Sequence, residues 1–489
     1  MKIFRFFCIF IFFNLVIPFY SYDFIATARS IAFGGAYSST VDSFEALAYN
    51  PAGIYMTNKR MGFDILGTYS ARFFIQYFST QSGINILHAI NERETINNFI
   101  PEISQKELSF GINTTFLTMA SYINFDKFGV GLFLKNKQFF YLTLDSGLFD
   151  IISDGLNIVD DKKSSFFIKG VILDYLDFGF SLSTRLRFLE KLMKIQKIYV
   201  GLTSHFYLPL YFAELNVNGS IFTDKHTIYP NEDPNGSKGI AAGVNNYIVG
   251  TNGYVRNSSF FLRTITNGLL NFDSESPTAP FFDKTSGGGD FGLGFDFGFT
   301  LVFNQYVKVG FAINDIGFII FPQSSKGTID TNEKIFGIEK ESGEDLTIVA
   351  GNPLDILKIN ESKKDIFTMI SPLSMRTGIS FNPVYNRYFD LILALDISVS
   401  DFYKITFDGY PTFAVATGIE FSPKFGWFRM PIITAFNFNT ESLGPSFSFG
   451  MGLHLGPVKM MIGIKGLEGL IEGYGSNDLA IGFDLKFEF

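Results

Sequence analysis

The sequence predicts an all-β protein, a transmembrane antiparallel β-barrel of about 14 strands with an amino-terminal plug segment. Three observations predict it. The 489-residue chain alternates apolar and polar positions over many segments, for example Leu479, Ile481, Phe483, Leu485, Phe487 and Phe489 against Ala480, Gly482, Asp484, Lys486 and Glu488. Its 61 Phe and 22 Tyr make up most of a 17% aromatic content, more than a soluble core needs. Finally, 47% apolar residues come with a mean hydropathy of +0.20, yet after the leader Gly, Asn, Asp or Ser interrupts every apolar run too early for a bilayer-spanning helix.

The same numbers exclude other classes. With 18% charged residues, and 39 Lys+Arg against 47 Asp+Glu, the chain is neither disordered nor an electrostatic nucleic-acid binder. A soluble sandwich would bury its apolar faces, and here too few polar residues remain to cover the outside. Alternation with apolar-out, polar-or-glycine-in faces is what a membrane barrel requires, because backbone groups in hydrocarbon must pair between strands.

Residues 1–22 read as a signal peptide: Lys2 and Arg5, the apolar run Phe6 to Phe19 broken at Asn14, then Ser21 near the cleavage point. Cys8, the only cysteine, lies in this leader, so the mature chain is expected to have no disulfide, thiolate zinc site or cysteine nucleophile. Residues 23–58 do not alternate and read as the plug: a glycine turn at Gly34-Gly35, a short helix capped by Asp42 with Glu45 three residues on, and a stop at Asn50-Pro51-Ala52-Gly53.

Residues 59–489 form the barrel. Alternation and turn chemistry place strands at 60–80, 106–125, 127–146, 170–187, 197–222, 290–303, 306–322, 372–383, 389–400, 411–422, 427–438, 445–456, 457–466 and 477–489. Short connections fall at one end, including a possible helical turn at Leu189 to Ile195. The two longest, about 223–289 and 323–371, fall at the other, with room for a small strand around Ser259 to Thr266. That arrangement places both termini and the short turns in the periplasm and the long loops outside, as in bacterial outer-membrane barrels.

Nothing in the sequence has the spacing of a catalytic, cofactor or metal site. His88, His205, His226 and His454 are scattered, Ser204 and His205 point to opposite faces of a strand, Gly34-Gly35 lacks the lysine of a phosphate loop, and Asn231 to Gly236 reads as a solvated turn. The inward charges Asp296, Arg376, Glu420, Arg429, Lys459, Lys465, Asp484, Lys486 and Glu488 carry both signs, so paired networks are expected in the lumen. Trp427 with Phe425 and Phe428 fits an interfacial aromatic girdle, and Pro209 and Pro431 each remove a ladder donor and fit a bulge, a wall gap or a strand end.

The stretch Ala28 to Tyr37, the acidic helix start at Asp42 and the Asn50-Pro51-Ala52-Gly53 signature resemble the amino-terminal hatch of the long-chain fatty-acid transporter (FadL) family. The match looks closest to its spirochaetal branch and to related barrels of Bacteroidetes secretion. The resemblance implies a monomeric fourteen-stranded outer-membrane barrel that passes hydrophobic molecules, such as long-chain fatty acids, sideways through a wall opening. It also implies that the terminal Phe489 is an assembly signal for the barrel-insertion machinery. The expected function is passive uptake of a hydrophobic small molecule in contact with outer-membrane lipids, without enzymatic activity or cofactor. The other reading is a surface-exposed structural or interaction barrel, or an accessory of a secretion system.

Overall fold

The computed structural model describes residues 27–64, 68–75, 108–145, 164–223, 251–266, 291–331, 334–339, 347–350, 363–371, 373–400, 412–440, 444–470 and 478–489. The predicted leader, His88, His226 and the turn at Asn231 to Gly236 lie outside them.

The chain opens with short helical pieces: α1 (Ala28–Ala32), a 3-10 turn (Ser43–Glu45), α2 (Ala46–Tyr49) and a 3-10 helix (Pro51–Met56). The strands are β1 (Met61–Asp64), β2 (Thr68–Ile75), β3 (Leu108–Asn124), β4 (Phe128–Leu144), β5 (Ser164–Arg185), β6 (Lys197–Thr223), β7 (Thr251–Thr266), β8 (Phe291–Val302), β9 (Val307–Thr331) and β10 (Lys334–Glu339). They continue as β11 (Thr347–Ala350), β12 (Lys363–Ile370), β13 (Ser374–Tyr385), β14 (Phe389–Ser400), β15 (Thr412–Phe425), β16 (Phe428–Arg429), β17 (Ile432–Asn439), β18 (Gly444–Leu455), β19 (Val458–Lys465) and β20 (Asp478–Glu488). Between β5 and β6 lies α3 (Arg187–Met193).

All strands belong to one sheet, which closes into a 14-strand antiparallel barrel. Closure is made by β1 and β2 against β20, from Gly62↔Glu488 to Phe74↔Asp478. Four staves are built from two pieces each: β1 with β2, β7 with β8, β12 with β13, and β16 with β17. In three of them both pieces pair with the same two flanking staves, and in the fourth β12 pairs with β9 while β13 pairs with β9 and β14. β10 and β11 form a hairpin beside β7.

The predicted strands coincide with the staves to within a few residues, with 389–400 matched in full. The differences lie at the long-loop end. There β9 runs on to Thr331, and β7, β10, β11 and β12 occupy parts of the two stretches expected to be loops. The Gln323 to Thr328 run is polar on both faces, so no apolar period marks it. A ladder that needs only backbone pairing leaves no such signature.

Side chains follow the expected parity. On β20, Ile481 and Phe483 are exposed outside while Asp484, Lys486 and Glu488 are buried inside. The interior is filled at its short-turn end by the segment Thr27 to Thr57, whose Phe33, Tyr37, Phe44, Leu47, Tyr49 and Ile54 are fully buried. Inward glycines make the space. A Cβ on Gly201 would fall 2.2 Å from the Pro51 carbonyl carbon, and one on Gly463 would fall 2.0 Å from the Ala28 oxygen. This gives the glycines opposite Phe in the sequence a steric reason.

Candidate functional site

The lumen is arranged in three tiers, followed upward along β6 from its start at Lys197. The lowest is the amino-terminal segment. Gly34 (φ 60°) and Gly35 (φ 97°) take the left-handed conformation that turns the chain after α1, and the Gly34 carbonyl accepts from Asn437 Nδ2 at 2.7 Å. Asn50 donates to the Ser38 carbonyl (2.9 Å) and to Thr300 Oγ1 (3.2 Å), while its own Oδ1 accepts from Ala52 N at 3.2 Å. Pro51 starts the 3-10 helix, where its missing N–H is not needed. The Ala52 carbonyl accepts from Ser183 Oγ at 3.0 Å, and Gly53 lies so close to Val41 that a Cβ would fall 2.6 Å from its carbonyl oxygen.

A 3-10 turn does start after Asp42, but its capping by Asp42 is corrected. Asp42 makes no capping hydrogen bond, because Ser43 takes a positive φ of 61° and Glu45 turns away to Arg29 and Lys486. The capping box sits earlier, where Thr27 and Ser30 satisfy each other's backbone N–H at 3.1 Å.

Ion pairs fix this segment to the wall. Arg29 Nη2 lies 2.6 Å from Glu420 Oε2, and Arg429 holds the other oxygen of Glu420 at 2.5 Å. Ala28 N donates to Asp484 Oδ1 (3.0 Å), Lys486 bridges Asp484 (3.2 Å) and Glu45, and Ser43 donates to Glu488, which also pairs with Lys459. The guanidinium of Arg376 lies over the Tyr49 ring at 4.1 Å. Lys465 and Arg72 share Asp478 at 2.7 and 2.6 Å, tying the last stave to the first. Burial pushes the Glu45 carboxyl up, but Lys486 and Arg29 more than reverse this and hold it below its ordinary range.

The second tier is an ionic layer that sequence reading missed. His205 Nδ1 meets Asp177 at 2.8 Å and Nε2 meets Asp296 at 2.9 Å. Lys135 pairs with Asp177 (3.2 Å), and Lys137 with Asp315 (3.0 Å). Asp315 reaches the lumen from a bulge in β9, with φ 59°, its N–H donating to Asp296 at 2.6 Å and its carboxylate accepting from Tyr207 at 3.0 Å. Donor atoms of Asp177, His205 and Asp315 lie within 4.8 Å of one another, a spacing compatible with a cation, but the two lysine ammonium groups already stand against these carboxylates. Each charge predicted to face inward is thus paired or stacked, with Asp296 joining this layer and the other eight arranged around the amino-terminal segment and the closing staves. His454 lines a polar cleft beside Arg29, Asp42 and Glu45.

Above the ionic layer, on the side of β5, β6, β9 and β12, the interior holds an apolar cluster. Val171, Leu173, Tyr175, Tyr207, Phe212, Ile319 and Met369 form a buried cluster against which Phe139 packs. It stands beside the joint of the two-piece stave between β6 and β9. The register with β8 reaches Tyr207↔Gly292 and Phe291↔Ile320, and the register with β7 takes over from Tyr211↔Thr266 and Thr264↔Ser325. The connecting residues 267–290 lie outside the described residues. Pro209 sits in a bulge of β6 at this level, and Pro431 separates β16 from β17.

At the closing seam Phe489 N donates to the Met61 carbonyl at 2.8 Å, and the exposed Phe489 ring stacks on Phe63 at 5.9 Å. Trp427 is exposed at the turn after β15, with Phe425 and Phe428 packed on each other at 4.9 Å beside it.

Residues 51–464 match the model of a protein family described as "Family of unknown function (DUF5723)". No curated protein matches the chain. Among solved structures it is similar to the Ralstonia pickettii toluene transporter TbuX, at 10% identity over 96% of this chain and 99% of that one, with a TM-score of 0.41. It is also similar to the P. putida toluene transporter TodX (11%, 96% and 97%, TM-score 0.40) and to a Pseudomonas aeruginosa FadL homologue (9%, 97% and 98%, TM-score 0.43).

Proposed function

We propose, from the premise that the chain belongs to the DUF5723 family of unknown function, that it is an outer-membrane barrel for passive uptake of hydrophobic small molecules, with the Thr27 to Thr57 segment as its plug. The observation that carries this is the apolar cluster of Tyr207, Phe212, Ile319 and Met369 inside the barrel, beside a joint in its wall. A water-filled channel for polar solutes has no use for such a cluster, whereas an apolar molecule that parts these side chains on leaving one aqueous side or the outer leaflet is stabilised among them at roughly 25 cal/mol per Å² of apolar surface buried. The ionic layer below it and the plug deny water and ions a continuous path, so passage requires the plug to shift. Residues of the plug and the lumen act by binding and gating, with no enzymatic role. The resemblance of residues 28–54 to the FadL hatch supports the same reading, including long-chain fatty acids as one ligand class and a monomeric state; the spirochaetal branch rests on that resemblance alone.

The test is uptake of a fluorescent fatty acid and of a neutral aromatic probe by cells carrying the full protein, compared with empty cells. Uptake above the empty cells, lost in Ile319→Asn while the barrel keeps its heat-modifiable mobility, is the expected result. Uptake equal to that of empty cells for both probes contradicts the proposal.

A further inference from the structure

The helix α3 hangs at the short-turn end with an apolar face that no part of the described protein covers. Phe188 and Leu192 are 69% and 77% exposed, and Leu192 is the most exposed large apolar side chain among the described residues. Being four residues apart, they lie on one face of the helix. The helix is nevertheless held in place. Arg185 grips Glu190 through two hydrogen bonds of 2.7 and 2.9 Å, Glu190 accepts from Ile198 N at 2.9 Å, and Lys194 ends the helix in the left-handed conformation at φ 57°. Its position is set by parity. Even-numbered residues of β6 point outward, as exposed Leu202 and Phe206 show, yet Ile198 of the same parity is 0% exposed. The helix therefore folds against the outside of the wall, in line with the exposed Phe178, Phe180 and Leu182 of β5, and not across the lumen. Arg187, Lys191 and Lys194 are exposed around it, and its one acid, Glu190, is buried against Arg185.

We propose that α3 is an interfacial anchor whose Phe188 and Leu192 insert among the acyl chains of the leaflet at the short-turn end, while Arg187, Lys191 and Lys194 bind anionic phospholipid headgroups. This rests on the reading that the barrel spans a bilayer. Two features select lipid as the occupant. The apolar face continues the lipid-facing column of β5, and the exposed charges of the helix and its C-cap, Arg187, Lys191 and Lys194, are all basic, matching an anionic surface. Long basic side chains keep their charge at headgroup level while the helix lies flat.

Because Trp427 is the only tryptophan, the test moves it. Full-length Trp427→Phe/Phe188→Trp and Trp427→Phe/Phe180→Trp proteins are refolded into phosphatidylcholine vesicles, with and without phosphatidylglycerol, carrying brominated acyl chains. Quenching at position 188 comparable to that at 180 is the expected result, with a further rise on adding phosphatidylglycerol that Arg187→Glu/Lys191→Glu removes. Quenching at 180 but none at 188 overturns the anchor and leaves the barrel in the membrane, with the helix facing water or another protein. A rise that survives the charge reversal overturns the headgroup contact. No quenching at either position overturns the membrane reading and the anchor with it.

Discussion

Arg29 Nη2 stands 2.6 Å from Glu420 Oε2, so the start of the chain is ion-paired to a stave 391 residues later, and Arg429 binds the same carboxylate at 2.5 Å. Glu420 is fully buried and serves two cations. Removing it takes the nearest carboxylate from both, leaving Arg29 the longer contact with Glu45 at 3.5 Å and Arg429 that with Asp390 at 3.7 Å, whereas removing Arg29 leaves Glu420 paired. Glu420→Gln is expected to cost about 3–5 kcal/mol and Arg29→Met clearly less. Midpoints of unfolding in detergent for the two variants check the order.

Gly201 faces Pro51 across the lumen with no room for a side chain. Gly201→Val is expected to push the segment off the wall and raise single-channel conductance. Gly426→Ala, at a turn with nothing within 4 Å of the added carbon, strains the backbone at φ 61° but leaves the lumen alone. Planar-bilayer recordings of both separate plug displacement from general damage.

The Glu45 carboxyl is held below its ordinary value of 4.5 by Lys486 and Arg29 against its burial. A depressed folded value means that the unfolded chain binds the proton first. The attachment is therefore complete above the ordinary carboxylate value and weakens as pH falls through the lower folded one. Conductance of the intact protein is expected to stay low at neutral pH and to rise only in acid below 4.5, and Glu45→Gln is expected to flatten that rise. A pH series in planar bilayers reads it.

Phe489 closes the ladder through Met61 and presents an exposed ring at the seam. Deleting Phe489 is expected to lower the amount of protein reaching the membrane if that ring is an assembly signal. Quantifying heat-modifiable barrel in membrane fractions checks this, and unchanged insertion removes the role.

The staves were legible because a lipid-facing wall forces a period of two on residues such as Phe291 to Phe303 and Leu479 to Phe489. The charges on those staves were legible as inward for the same reason. Their partners were not. Asp177, His205 and Asp315 come from three strands, and only the register of the neighbouring staves β5, β6, β8 and β9, with a bulge re-aiming Asp315, brings them together. Local capping rules placed the helix start at Asp42, where the 3-10 turn does begin, but the capping bonds they imply are absent because Ser43 takes a positive φ and Glu45 pairs with Lys486 and Arg29 across the lumen. The apolar cluster was illegible too, since Val171, Ile319 and Met369 resemble lipid-facing residues until register and bulges turn them inward.

The central claim is that Ala28 to Ile54 closes a lumen that fourteen staves alone leave open. Planar-bilayer conductance of the intact protein and of a variant lacking these residues tests it most directly. Near silence for the intact protein and stable aqueous conductance for the deletion is the predicted result; equal conductance in the two would contradict it.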